Sequence, residues 1–275
     1  MANSPFSGRG ALVTGASTGI GFEIASRLAA AGARVAIVGS RADRLDRAAE
    51  AIAKESGARP VTLVRDLAKP AAPGAIRDTL ASSGFTVEVL VNNAGFGVYG
   101  AFGAESAEET LRMIDVNVRA LVALTGLFAD GMKARGAGWI LNVASIAAFQ
   151  PVPLEAAYAA SKAFVLHWTE GLADELAGTG VRVTCLCPGP TDTPFYERGR
   201  FWRSRVSRGK KMSAAAVTEA GLRALAKGRI VAIPGVSNRL VPLGGRLLPR
   251  RWVRKLAQRV VEELDASDTG KSRPA

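Results

Sequence analysis

Six runs of nearly continuous apolar residues recur along the chain, at 11–14, 34–39, 60–65, 87–92, 139–143 and 181–187, with a weaker seventh at 229–233. A strand that faces water on one side alternates apolar with polar residues. A strand that is apolar at nearly every position must be covered on both faces. Between the runs, apolar residues recur at helical spacing, as with Ile20, Ile24 and Leu28, or Val165, Trp168, Leu172 and Leu176. Strands alternating with such helices, joined by right-handed crossovers, predict an α/β fold with a doubly wound, mostly parallel sheet. No repeat or low-complexity linker interrupts the 275 residues, so a single domain over 1–275 is expected.

The C-terminal part departs from this pattern. After Pro188-Gly189-Pro190, which must end a strand, residues 191–212 mix aromatics with arginine and show no period. An insertion there would lie over the C-terminal edge of the sheet, as a lid where such folds bind ligands. Residues 251–264 read as an amphipathic helix with Val253, Leu256, Ala257, Val260 and Leu264 on one face, within a basic extension over 239–275. The net charge of +12 is concentrated nearby: residues 198–259 carry 17 Lys/Arg against one acid, Glu219. The rest of the chain carries 19 basic residues against 23 acidic ones.

The first ten residues hold no apolar run of the signal-peptide kind, and no stretch approaches the ~20 apolar residues of a membrane span. Cys185 and Cys187 are expected to pack on alternate faces of a strand, unbridged, and with one histidine in the chain they lack partners for zinc. These features predict a cytoplasmic protein without a metal site.

The first strand ends in Thr14-Gly15-Ala16-Ser17-Thr18-Gly19-Ile20-Gly21 and opens directly into a helix. Glycines there allow a tight turn and close approach of a pyrophosphate, and the helix N-terminus offers free N–H groups. A later strand ends in Asn92-Asn93-Ala94-Gly95, whose small polar residues could brace that turn. Asp115 and Asn117 form a polar pair inside the apolar run 111–127; a buried asparagine there must be satisfied by hydrogen bonds. Finally, Tyr158 and Lys162 stand four apart in a helical segment and share one face, with Ser145 thirteen residues upstream. A hydroxyl to hold an oxygen, a phenol to exchange a proton and an ammonium to lower the phenol's pKa make a proton-transfer device.

In this order and spacing, the motifs resemble the short-chain dehydrogenase/reductase family over residues 10–235. The resemblance implies a Rossmann-type three-layer fold, a nicotinamide cofactor, reversible carbonyl–alcohol hydride transfer, and a homodimer or homotetramer. It places Asn117, Ser145, Tyr158 and Lys162 in the catalytic set. Tyr158 would be the acid/base, Ser145 would hold the substrate oxygen, Lys162 would also bind the nicotinamide ribose, and Asn117 would fix a water. It assigns cofactor contacts to Gly15, Ser17, Thr18, Gly19, Ile20, Gly21, Asp66, Leu67, Asn93, Ala94, Gly95, Pro188, Gly189 and Thr191, with Asp66 at the adenine ring.

Cofactor choice turns on the end of the second strand. An NAD site usually carries an acid there; this chain has Ser40 and Arg41, and Arg41 could pair with a 2′-phosphate. NADP(H) is expected over NAD(H). Candidates for the substrate pocket are Ser145, Gln150, Tyr158 and Phe195, together with Phe96, Gly97, Pro151, Val152, Tyr196 and Trp202, which suggests an apolar ketone or acyl-type substrate. The basic region admits three accounts: an anionic or carrier-linked substrate, contact with an anionic membrane, or a solvated face whose apolar side packs on the body or on a second subunit. It lacks any groove-reading motif for nucleic acid. A dinucleotide sensor without catalysis is the alternative function.

Overall fold

The apolar runs are the strands of one parallel sheet in the computed structural model, which describes residues 4–103, 106–198 and 201–262. In chain order the core elements are β1 (Gly10–Thr14), α1 (Gly19–Ala30), β2 (Arg34–Gly39), α2 (Ala42–Ser56), β3 (Val61–Val64), α3 (Ala72–Ser82) and β4 (Val89–Asn92). They continue with α4 (Ala107–Ile114), α5 (Ala120–Ala134), β5 (Gly138–Val143), α6 (Ala156–Glu175) and β6 (Val181–Leu186). The strands lie in the order β3-β2-β1-β4-β5-β6, and β9 (Val231–Ala232) adds a parallel seventh at the β6 edge.

Side-chain alternation sorts the strand residues between two cores. Val13, Ile37, Val91 and Leu141 pack with Ile24, Leu28, Leu45 and Ile52 on one face. Leu12, Val38, Leu90 and Ile140 pack with Ile76, Leu80, Leu124 and Met132 on the other. The sheet also carries a buried polar thread. Asn92 Nδ2 donates to Thr125 Oγ1 (3.0 Å) and Asn142 Oδ1 (2.9 Å), and Asn142 Nδ2 donates to Thr169 Oγ1 (3.0 Å). This thread ties β4 and β5 to the helices that carry the site.

β1 is the point where strand order reverses. The chain leaves β3 at one edge, returns to lay β4 on the far side of β1, and so opens a crevice at the C-terminal ends of β1 and β4. The excursion after β6 crosses this crevice. It begins with β7 (Thr191–Asp192), runs through α7 (Phe195–Arg198) and two short 3₁₀ turns, and is closed by β8 (Met212–Ser213), which pairs with β7. Helix α8 (Ala214–Ala226) then packs on the first core, and α9 (Leu240–Leu247) and α10 (Arg250–Val261) follow β9.

Three expectations are corrected. Cys185 and Cys187 do not lie on alternate faces: residues two apart in extended chain share a face, and their sulfurs are 3.6 Å apart, buried and unbridged. The C-terminal helix ends at Val261, and Leu264 lies outside the described residues. Its buried face is Val253, Ala257 and Val261, while Leu256 and Val260 remain more than half exposed. The polar pair at 115 and 117 does not sit in a continuous α-helix either. Residues Asp115–Arg119 form one π turn between α4 and α5, a widening that often marks functional positions. Asp115 leaves the interior to pair with Arg119 at 2.8 Å, whereas Asn117 is 1% exposed.

Among the described residues, no helix is long and apolar enough to cross a membrane.

Candidate active site

The glycine turn after β1 is shaped by what surrounds it. Gly15 and Gly19 have φ of +65° and +62°, in the left-handed region where glycine is unstrained. A Cβ on Gly21 would lie 2.3 Å from Asn93 Nδ2 and 2.4 Å from the Gly15 carbonyl oxygen, so only glycine lets α1 begin so close to the turn. Asn93 clasps the turn by donating to the carbonyls of Thr14 (2.9 Å) and Gly15 (3.1 Å). Thr14 Oγ1 accepts from the N–H groups of Asn93 and Ala94, both at 3.0 Å. Asn92, its neighbour, faces the other way into the polar thread. Helix α1 has no side-chain cap and no acid in its first turn, so its N-terminal N–H groups stay available to an anion.

From this turn a cavity of about 490 Å³ runs across the ends of β1, β4, β5 and β6. It is lined by Gly15, Ser17, Thr18, Gly19, Ile20, Gly21, Ser40, Asp66 and Leu67 at one end, by Asn93, Ala94 and Gly95, and by Ser145, Tyr158 and Lys162, with Pro188, Gly189 and Thr191 behind. Gln150 and Phe195 also line it, as do Phe96, Val152 and Tyr196; Gly97 and Pro151 do not. The side chain of Trp202 lies outside the described residues.

Two singled-out residues stand off the cavity wall. Arg41 turns away, its guanidinium held by both oxygens of Asp43 at 3.1 Å. Asn117 lies behind the wall. Its amide donates to the Phe96 carbonyl and to Ser161 Oγ, both at 3.0 Å, and its Oδ1 accepts from the Phe96 N–H at 3.1 Å. Both amide hydrogens are therefore spent on the protein, so any water that Asn117 fixes is not held by its amide N–H groups. Gly95 makes room for this clasp: a Cβ there would stand 2.9 Å from Asn117 Oδ1 and 3.2 Å from Lys162 Nζ.

Tyr158 and Lys162 descend one face of α6 into the cavity, both buried. Lys162 Nζ donates to the Val143 carbonyl at 2.9 Å and lies 5.9 Å from the Tyr158 ring centre. The expected lowering of the phenol's pKa is not found. Burial pushes Tyr158 above its ordinary value, and a hydrogen bond from Ser145 only partly opposes the rise. Burial likewise lowers Lys162 to about 8. Desolvation of the phenolate is the largest influence, and Glu155 and Tyr196 nearby add to the rise. Ser145 is aimed by its backbone position: it caps the 3₁₀ turn Ile146–Phe149, and its Oγ accepts from the Ala147 N–H at 3.1 Å.

Other wall residues were not among the site candidates that the sequence offered. Phe201 packs against Tyr158 and Phe195, with ring centres 5.7 and 5.2 Å away. Ala257, Val260 and Val261 bring α10 into the wall, and the Val261 carbonyl accepts from Tyr99 Oη at 2.6 Å. Glu155, one turn before Tyr158, is buried in the same wall; an acid three residues ahead of the tyrosine could have been noticed in the sequence. His167 is exposed beside Glu170, away from the cavity.

The site fits a dinucleotide: a glycine cradle, an uncapped helix start and a groove leading to three proton-handling groups. The family model for short chain dehydrogenases matches residues 9–203. A ketoacyl reductase of Nostoc sp., HetN, is 34% identical over 182 residues, 66% of this chain and 63% of that protein's length. Among solved structures, a short-chain dehydrogenase from Sphingobium yanoikuyae in complex with NADPH superposes with a TM-score of 0.78 at 32% identity, covering 86% of this chain and 93% of its own. An L-sorbose reductase from Gluconobacter frateurii, complexed with NADPH and L-sorbose, gives 0.74 at 28% identity, covering 82% and 95%. With its parallel Rossmann-type sheet and its match over most of its length, the chain belongs to the short-chain dehydrogenase family of oxidoreductases.

Proposed function

We propose that the protein is an NADP(H)-dependent oxidoreductase that interconverts a ketone or acyl-type carbonyl and the corresponding secondary alcohol, with Tyr158 as the acid/base. The observation that carries this is the meeting of Ser145, Tyr158 and Lys162 in one cavity with the glycine cradle. The cradle from Gly15 to Gly21 would hold the pyrophosphate, Asp66 and Leu67 the adenine side, and Lys162 with Asn93 to Gly95 the nicotinamide side. A bound nicotinamide supplies the hydride in one direction and accepts it in the other. Ser145 and Tyr158 hold the substrate oxygen between two hydroxyls. As that oxygen gains charge, the phenol gives it a proton; in the reverse direction the phenol's oxygen takes the proton back. Lys162 stabilises phenolate when the proton has left, and the Val143 carbonyl fixes where its ammonium stands. Aromatic rings of Phe195, Tyr196 and Phe201 line the cavity, which favours an apolar substrate skeleton and supports the part of a lid for the excursion at 191–212. Tyr158→Phe should cut turnover by roughly 100-fold or more while NADPH binding, read by fluorescence titration, stays intact. Near-normal turnover would remove the assignment.

The preference for NADP(H) is supported by the lack of an acid at the end of β2 and by the NADPH carried by both structural relatives. Arg41 would have to leave Asp43 to meet a 2′-phosphate; that pair is solvent-exposed and opens at little cost. Arg44 and Arg47 flank a second hollow beside Ser17 and Thr18 and add positive potential there.

Partly exposed Val122 on α5, and Phe164 on α6, which stacks on Trp168, support a homodimer or homotetramer built on these helices; mass in solution by light scattering tests it. The basic C-terminal part is accounted for in part by packing, since Val253, Ala257 and Val261 are buried on the body. Exposed Trp252, Leu256 and Val260, flanked by Arg251, Arg254, Lys255 and Arg259, support peripheral contact with an anionic lipid surface rather than a carrier protein. Two free, buried thiols 3.6 Å apart suit a reducing, cytoplasmic setting.

A further inference from the structure

Only two charged side chains are buried among the described residues, Lys162 and Glu155. Lys162 has its carbonyl partner. Glu155 is 7% exposed, lines the cavity, and receives no hydrogen bond or ion pair from the protein on its carboxyl. Its oxygens are not sealed off from the cavity, so a carboxyl without a protein partner in this wall is open to a partner that arrives with the ligand. Its burial raises it to about 7, so near neutrality it is present in both protonation states.

The backbone holds Glu155 firmly in this place. It is the residue at which α6 begins; its N–H donates to the Val152 carbonyl and its own carbonyl accepts from Ala159 at 2.8 Å. The preceding Leu154 has φ of +64°, the one non-glycine in the left-handed region among the described residues, and its carbonyl accepts from Gly100 at 2.9 Å. Glu155 and Tyr158 line the same cavity, and the carboxyl is near enough for its charge to act on the Tyr158 and Tyr196 hydroxyls. It is therefore within reach of the part of a substrate that adjoins an oxygen held by Tyr158 and Ser145.

We propose that Glu155 selects the substrate by hydrogen-bonding a hydroxyl carried one or two carbons from the reacting carbonyl, so that hydroxyketones with an otherwise apolar skeleton are preferred. An anionic group at that position would be repelled, and an alkyl group would leave the carboxyl unpaired. A hydroxyl both donates and accepts, and suits the carboxyl in either state. The wall beside it offers apolar contact from Phe195, Phe201 and Val152, with Tyr196, Gln150 and Thr193 as further polar groups. The proposal rests on the carbonyl–alcohol function assigned above.

The test compares an aryl methyl ketone with the same ketone hydroxylated on its methyl carbon, both reduced with NADPH by wild type, Glu155→Leu and Glu155→Gln. Wild type should favour the hydroxyketone in kcat/KM by at least about 10-fold. Glu155→Leu should lose that preference through a KM raised for the hydroxyketone relative to the plain ketone, and Glu155→Gln should keep most of it. An unchanged preference in Glu155→Leu overturns the proposal. An equal drop in kcat on both ketones with neither KM changed also overturns it, since the carboxyl would then act on Tyr158 alone and not on substrate. If wild type reduces neither ketone, the carbonyl–alcohol function is what fails, and binding decides on Glu155. In the presence of NADP⁺, the hydroxyketone should raise the melting temperature more than the plain ketone in wild type, and not in Glu155→Leu. Equal shifts in both proteins refute the contact.

Discussion

Replacing Lys162 by methionine should destroy activity and yet make the cofactor-free protein more stable. The side chain is 5% exposed and its ammonium has one protein partner, the Val143 carbonyl at 2.9 Å. The neighbouring Cys187 thiol offers no counter-charge, because its contact with Cys185 and its burial push it well above the ordinary thiol range. The lysine's pKa falls from 10.5 to about 8. Folding therefore disfavours the charged form. The penalty is full below about pH 8, where both states carry the proton, and is relieved as pH rises from there towards 10.5. At about 1.4 kcal/mol per pH unit the penalty near pH 7 is about 3 kcal/mol. Methionine removes it at similar volume but leaves the Val143 carbonyl without its donor, at about 1 kcal/mol. The net gain of about 2 kcal/mol corresponds to a melting temperature roughly 4–8 °C higher for a chain of this size. Melting of the two cofactor-free proteins near pH 7 and near pH 10 reads both parts. The variant should lead near pH 7, and its lead should nearly vanish near pH 10, where the folded wild type has already shed the proton. A variant no more stable than wild type near pH 7, or a lead independent of pH, would refute the claim that desolvation dominates at Lys162.

Three further outcomes follow from named contacts. Gly21→Ala drives a Cβ to 2.4 Å from the Gly15 carbonyl oxygen, so the cradle must open, and NADPH should bind at least about 10-fold more weakly in a fluorescence titration; an unchanged Kd contradicts the cradle. Arg41→Asp places an acid at the end of β2 and should lower the NADPH-over-NADH ratio of kcat/KM by about 10-fold or more, and an unmoved ratio would detach Arg41 from cofactor choice. Vesicles rich in anionic lipid should co-sediment the protein in a salt-sensitive way that Trp252→Glu weakens; no binding at low salt, or binding indifferent to salt, excludes the lipid contact.

The strands were legible because a doubly covered sheet leaves an unmistakable trace, apolar residues at nearly every position. The meeting of the glycine turn with Ser145, Tyr158 and Lys162 around one cavity was legible because it depends on local spacing: a strand feeding a helix start, and a four-residue step on one helix face. What escaped depends on partners far apart in the chain. Asn92 and Asn93 are adjacent and alike in sequence, yet one threads the sheet through Thr125 and Asn142 while the other clasps Thr14 and Gly15. Arg41 was read by its charge, but its direction is set by Asp43 two residues on. The part of α10 in the cavity wall could not be read either, since its period marks a buried face without saying against what.

The sign of the electrostatics at Tyr158 was misjudged for a related reason, and it bears on how the site works. Pairwise reasoning puts an ammonium beside a phenol and lowers the phenol's pKa. The fold buries the pair together, and burial is the largest influence on Tyr158, on Lys162 and on Glu155 alike, raising the two acids and lowering the base. All three are pushed towards neutrality, so the wall around Tyr158 tolerates charge poorly. In such a region any charge that a ligand brings is weakly screened and acts on all three groups together. The proton affinity of Tyr158 is then set less by its permanent neighbour than by what occupies the cavity. With the phenol raised, Tyr158 holds its proton at neutral pH, which is the state that its proposed part as the acid in carbonyl reduction would need.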